Sequence, residues 1–291
     1  MANLKEIRNR IASVSSTMQI TSAMKMVSAA KLKKAQDAIT AMRPYSDTLT
    51  DLLQSLSGSI ESSDASKYAA VREENKILLV AITSNRGLCG AFNTNVIKQA
   101  QSLAKGAYAG KAVSVMAVGK KSADILGKDF PLVSNESAIY EDLTFANVSE
   151  IADRLMEDFA TEKFDKIVLI YNKFKNAATQ IVTTEQFLPI VPVVGAAAES
   201  DYIFEPGKAE IVSELVPKAL KTQLFKGIRD SFASEHGARM TAMHKATDNA
   251  ADLRDQLKLT YNQARQAAIT NEFLEIVGGA EALNDSLFTL S

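Results

Sequence analysis

The side chains with chemical potential are few. Cys89 is the only thiol, and it sits in the turn Ser84-Asn85-Arg86-Gly87-Leu88-Cys89-Gly90, directly after the apolar run 76–83 (KILLVAIT). A glycine-bearing turn between a strand and a helix is where an α/β fold holds nucleotide phosphates on backbone N–H groups. This turn is not G-x-G-x-x-G, since its two glycines are three apart, and no Gly-Lys-Ser/Thr follows. A cysteine nucleophile needs a base within reach. The only histidines, His236 and His244, lie far along the chain in a helical stretch. Eight residues apart, they face a similar side, but two imidazoles without thiolate or carboxylate company make a poor metal site. Both read as solvated helix residues. There is no H-E-x-x-H, no G-x-S-x-G, no second cysteine and no paired carboxylate constellation. The turn reads as structural and its domain as a scaffold rather than an enzyme, with no cofactor and no metal.

The elements around the turn are those of a small α/β domain. Strands are expected at 76–83, 112–118 and 166–171, with an edge strand at 180–190 ending at Pro189. Helices are expected at 93–105, 120–126 and 147–160. This alternation predicts a mostly parallel sheet. A serine-rich linker, 55–66, precedes the domain, and an extended connection, 195–207, follows it.

Outside this domain the chain is helical at both ends. Residues 1–43 contain no glycine or proline, and Leu4, Ile7, Ile11, Val14 and Met18 repeat in steps of 3, 4, 3, 4. Pro44 permits a bend or a break; the helix stops there or runs on to about Gly58. From 208 on, Met243, Ala246, Ala250, Leu253, Leu257, Thr260, Ala264 and Ala267 keep the same spacing, that of a coiled-coil seam. Antiparallel pairing of the two ends is the natural solution, with the middle of the chain as a separate head. The expected fold class is therefore α/β plus a long antiparallel coiled coil, with boundaries at 1–57, 58–207 and 208–291. In 20–35 (ITSAMKMVSAAKLKKA) and 239–251 (RMTAMHKATDNAA), small residues and methionines cover nearly the whole helix circumference. A two-helix core uses only one face of each helix. Apolar residues on the outside imply an enclosing protein.

Composition narrows the classes. With 291 residues and 46% hydrophobic content the chain can bury a sizeable core. A formal net charge of −1 suggests no nucleic-acid partner, although residues 1–43 carry eight cations against two acids. A single cysteine excludes an internal disulfide. No apolar run approaches the ~20 residues of a membrane span. The basic amphipathic start reads as mature structure rather than a transit peptide, which favours a bacterial protein.

Three separated motifs then carry a resemblance covering the whole chain. Leu4-Lys5-Glu6-Ile7-Arg8-Asn9-Arg10-Ile11 with 19–27 (QITSAMKMV), the turn 84–93 (SNRGLCGAFN), and 265–280 (RQAAITNEFLEIVGGA) resemble the gamma subunits of F-type ATP synthases. The resemblance implies a Rossmann-like central domain on an antiparallel coiled coil, acting as the rotor inside an alpha3beta3 hexamer. It further implies contacts to the epsilon subunit and the membrane c-ring, one copy per complex, and a peripheral position on the cytoplasmic face of a bacterial inner membrane. Met24 and Lys25, with Lys31, Lys33 and Lys34, match the segment near the beta subunit's acidic lever. Arg239, Gln266, Thr270 and Glu272 match contacts to beta-subunit loops, and Tyr202 and Glu205 the segment facing the c-ring. The family's thiol-regulated insertion is absent. Two other readings stand beside this one: a nucleotide-using enzyme with helical arms, resting on the Gly87–Gly90 turn, and a coiled coil tethering unrelated partners.

Overall fold

A computed structural model describes residues 4–55, 66–190 and 207–288. In chain order the elements are α1 (Leu4–Ser55), α2 (Ser66–Ala69), β1 (Lys76–Ile82), α3 (Phe92–Lys105), β2 (Ala112–Val118), α4 (Lys120–Asp129), β3 (Leu132–Asn135), α5 (Phe145–Ala160), β4 (Lys166–Phe174), β5 (Gln180–Leu188) and α6 (Lys208–Phe288). The expected linker 56–65 and the connection 191–206 lie outside the described residues. The chain divides into two compact units: the residues through Met26 with those from Met243 on, and Val27–Ala242.

The second unit is built on a five-stranded sheet of order β3-β2-β1-β4-β5. β1 pairs in parallel with β2 and β4, β2 with β3, and β5 runs antiparallel at the edge. β1 is buried on both faces, which is why it reads as an unbroken apolar run rather than an alternating one. Ile77, Leu79 and Ala81 meet Val96, Ile97 and Ala100 of α3 and Leu126 of α4. Leu78, Val80 and Ile82 meet Val148, Ile151, Leu155 and Phe159 of α5 on the other face. α5 begins where it does because Thr144 caps it, its side chain accepting from the Asn147 N–H. The first part of α6 belongs to the same core, through Val212, Val216, Leu220, Leu224 and Ile228. These recur every four residues, one stripe of a helix. Part of α1 packs here too, with Leu32, Ala35 and Ile39 against Phe174 and Ala233.

α1 does not stop at Pro44 but continues to Ser55. One missing backbone N–H is tolerated because Ile39, Ser46 and Leu49 remain buried on either side.

In the first unit α1 and α6 run antiparallel. Arg8 Nη2 donates to Tyr261 Oη at 2.7 Å, Arg254 Nη1 to Met18 Sδ at 3.7 Å, and the Thr21 and Thr247 hydroxyls meet at 2.8 Å. Residue numbers rise on one helix as they fall on the other. The register on α6 departs from the expected one. Met243, Ala250, Leu257 and Ala264 face inward as expected, but the intervening inward positions are Thr247, Arg254, Tyr261 and Ala268. Leu253, Thr260 and Ala267, one residue earlier, are exposed. Both choices satisfy a 3–4 spacing. Arg254 and Tyr261 win because their long apolar stems cover the seam while their polar tips find Met18 and Arg8.

Candidate functional site

The turn after β1 is closed upon itself. Asn93 Oδ1 accepts from the Ser84 N–H at 2.9 Å, and Asn93 Nδ2 donates to Cys89 Sγ at 3.2 Å. Asn85 ties the turn to its neighbours, accepting from the Lys120 N–H at 3.0 Å and donating to the Ser137 carbonyl at 2.8 Å. The Arg86 and Gly87 carbonyls point at the guanidinium of Arg239, 3.2 and 3.3 Å from Nη2. A phosphate loop presents N–H groups to an anion; this one presents carbonyls to a cation.

The crevice at the carboxyl ends of β1 and β4, where the strand order reverses and open α/β sheets take ligands, is filled by α6. Ser234 Oγ donates to the Asn172 carbonyl at 2.9 Å. Gly227 lies 3.6 Å from the Tyr171 ring, measured from where its Cβ would stand. Gly119, with φ +115°, passes so close to the Thr83 carbonyl that a Cβ would fall 2.2 Å from its oxygen. The domain keeps the frame of a nucleotide fold with its ligand crevice occupied by its own chain.

Cys89 is buried, and burial pushes its thiol pKa up, away from the thiolate a nucleophile needs. The reading of both histidines as solvated residues on one side fails for His236. His244 is exposed, 3.3 Å from Asp248. His236 is only 5% exposed, with its imidazole edge-on to Phe232 at 4.5 Å. Among the described residues no group of three or more His, Cys, Asp or Glu is placed to hold a metal.

The residues singled out for partner contacts fall in different settings. Met24 and Lys25 are half-buried on α1, while Lys31, Lys33 and Lys34 are exposed. Arg239 is only 7% exposed and pairs with Glu235 at 2.6 Å, besides holding the turn. Burial raises the Glu235 pKa, and Arg239 opposes that rise. Gln266, Thr270 and Glu272 are exposed on the last part of α6. At about 100° per residue, Gln266 and Thr270 share one face, and Glu272 lies nearly opposite Thr270. Tyr202 and Glu205 lie outside the described residues.

Gln266 and Thr270 belong to a longer surface. Leu259, Ile269, Phe273 and Val277 are all exposed, Phe273 at 65%, and helical spacing puts them on the same face as Gln266. That face is opposite the one carrying Leu257, Ala264 and Ala268, which meets α1. The stripe spans about 27 Å at ~1.5 Å per residue. Leu259 lies across the helix from α1, and from residue 269 to 280 every position of α6 is exposed, so among the described residues nothing covers Ile269, Phe273 and Val277. The individual residues were not singled out from the sequence, although the steps of four from Ile269 to Phe273 to Val277 are present there.

The comparisons agree on one family. The family model described as ATP synthase matches residues 3–283. The ATP synthase gamma chain of Flavobacterium johnsoniae is 69% identical over 286 residues, 98% of this chain and 100% of that one. Among solved structures, a chain of the Tetrahymena thermophila mitochondrial ATP synthase, titled central stalk/c-ring, superposes with a TM-score of 0.59 at 27% identity. It covers 78% of this chain and 99% of that one. A chain of the Euglena gracilis mitochondrial ATP synthase shares the fold, with a TM-score of 0.70 at 22% identity, covering 96% and 94%. This chain belongs to the ATP synthase gamma chain family.

Proposed function

We propose that this protein is the central-stalk rotor of an F-type ATP synthase, a non-catalytic subunit that couples rotation of a membrane c-ring to the catalytic cycle of the beta subunits. The observation that carries this reading is the set of exposed apolar side chains Leu259, Ile269, Phe273 and Val277 on the last part of α6, where from residue 269 to 280 every position is exposed. Exposed at this density it calls for a surrounding protein, and an alpha3beta3 hexamer is the enclosure a gamma chain has.

The mechanism is differential contact. A rotor with different side chains on different faces stabilises one beta conformation at each angle, and it shifts their equilibrium only by the difference in contact energy. Moving a two-state element from 1:99 to 99:1 takes about 5.5 kcal/mol. Charge-assisted hydrogen bonds are worth about 1.5–3 kcal/mol each, so two to four suffice. On this reading Gln266, Thr270 and Glu272, all exposed, make such bonds, and because Glu272 lies nearly opposite Thr270 they act at different angles. Met24 and Lys25 on α1 supply an adaptable apolar contact and a charge. Arg239, committed to Glu235 and the turn, acts by holding the turn rather than by touching a beta subunit directly.

The second unit is the site for the epsilon subunit, and Tyr202 and Glu205 face the c-ring. On this reading attachment is peripheral, through the c-ring, on the cytoplasmic face of a bacterial inner membrane; no described helix is long and apolar enough to cross a membrane.

Reconstitution tests the reading. Isolated alpha and beta subunits mixed with this chain should gain cooperative ATPase activity that the mixture lacks without it. Equal activity with and without the chain would end the rotor assignment. Equilibrium dialysis of the isolated chain with ATP should show no binding; tight binding would favour a nucleotide-using enzyme instead.

A further inference from the structure

His236 sits in a place its chemistry does not suit. Among the described residues neither Nδ1 nor Nε2 has a hydrogen-bond partner. It is the middle of the α6 stripe Phe232, His236, Met240. Phe232 and Met240 pack with Leu32, Ala35 and Ile39 of α1 and Phe174 of β4. Tyr140 stacks on Phe232 at 6.1 Å.

The charges around the imidazole are mostly of one sign. Lys31 faces it from α1 and Arg239 from its own helix. Glu235, the neighbouring anion, is held by Arg239 and drawn also by Lys31 and by Arg86 of the turn. Tyr140, from the 137–140 segment, is half-buried, and its phenol is kept neutral. A proton added to His236 would thus place a charge among aromatic and aliphatic groups, beside two cations, with Glu235 already engaged. We propose that His236 makes the α1–α6 packing of the second unit a proton-sensitive joint, in which protonation of the imidazole from solution parts the two helices locally so that the charge can be hydrated.

The expected size follows from linkage. Burial, with Arg239 and Lys31, holds the imidazole pKa down to about 4, against an ordinary 6.5. An opened joint restores the ordinary value. Opening is therefore favoured about 30-fold at pH 5 relative to pH 7.5.

Hydrogen exchange on the full-length chain, read at the α1 amides of residues 31–39 and corrected for the intrinsic effect of pH, measures this directly. The wild-type opening constant should rise about 30-fold from pH 7.5 to pH 5, and His236→Leu should stay within threefold. A wild-type opening constant independent of pH, or the same rise in His236→Leu, would overturn the proposal. Should His236→Leu fail to fold, an NMR titration of the wild-type histidines, assigned with His244→Gln, serves in its place. A His236 midpoint below 5 supports the joint, and one at 5 or above overturns it.

Discussion

Replacing Phe273 by alanine separates a side chain meant for a partner from one that holds its own fold. Phe273 is 65% exposed, and a phenylalanine presents about 200 Å², so about 130 Å² is open to a partner. At ~25 cal/mol per Å² its full enclosure is worth about 3 kcal/mol. Alanine, keeping part of that area, should lose about 2–3 kcal/mol of binding, a rise in Kd of about 30- to 150-fold. The isolated chain should be unaffected within about 0.5 kcal/mol, because the lost contacts are with water and alanine is the better helix former. The assay has two arms: urea unfolding of the isolated chain, and titration of the chain into a fixed concentration of alpha3beta3 hexamer. A Kd within threefold of wild type would show that the stripe is not enclosed. A loss above 1 kcal/mol in the isolated chain would show that Phe273 packs internally.

Further outcomes follow from the second unit. Arg239→Met leaves Glu235 buried and unpaired, and should destabilise the chain by about 3–5 kcal/mol in urea unfolding; adding Glu235→Leu should recover most of it. A single-variant loss below 1 kcal/mol would contradict the buried pair. Stability should also fall with pH through His236. Its folded pKa lies below its unfolded one, so the unfolded chain binds more protons between pH 6.5 and 4. The stability attached to it is full above 6.5 and is lost as pH falls, about 2 kcal/mol by pH 5. His236→Leu should lack that component, as shown by unfolding at both pH values. Gly119→Ala should cost about 3 kcal/mol or more, given its positive φ and the Thr83 carbonyl against it. Cys89 should resist thiol reagents in the native chain and react only on unfolding; fast labelling of the native chain would refute its burial.

Much of this architecture was legible in the residues. The proline- and glycine-free start of α1 and its 3–4 repeat announced a long paired helix, and the apolar runs at β1, β2 and β4 announced strands buried on both faces. What escaped had physical reasons. β3, four residues after Pro131, is too short for any period to show. The α6 register turned on Arg254 and Tyr261, residues that a hydrophobicity pattern discounts although their stems pack well. His236 looked solvated because Leu32, Ala35 and Ile39, which pack with its stripe neighbours Phe232 and Met240, lie some two hundred positions away. Arg239 matches a contact motif, and nothing local in the sequence reveals that Glu235 and the 86–87 carbonyls also engage it. The candidate surface was half visible: the sequence implied apolar residues outside the seam, but only the observed register separates the outward stripe from the inward one.

The most direct test of rotor function is single-molecule observation of this chain in a hexamer fixed to a surface, with a probe on the exposed face of α4. ATP should drive continued rotation of the probe in one direction, stopping when ATP is withdrawn. A probe that stays fixed while the same complexes hydrolyse ATP would contradict the account.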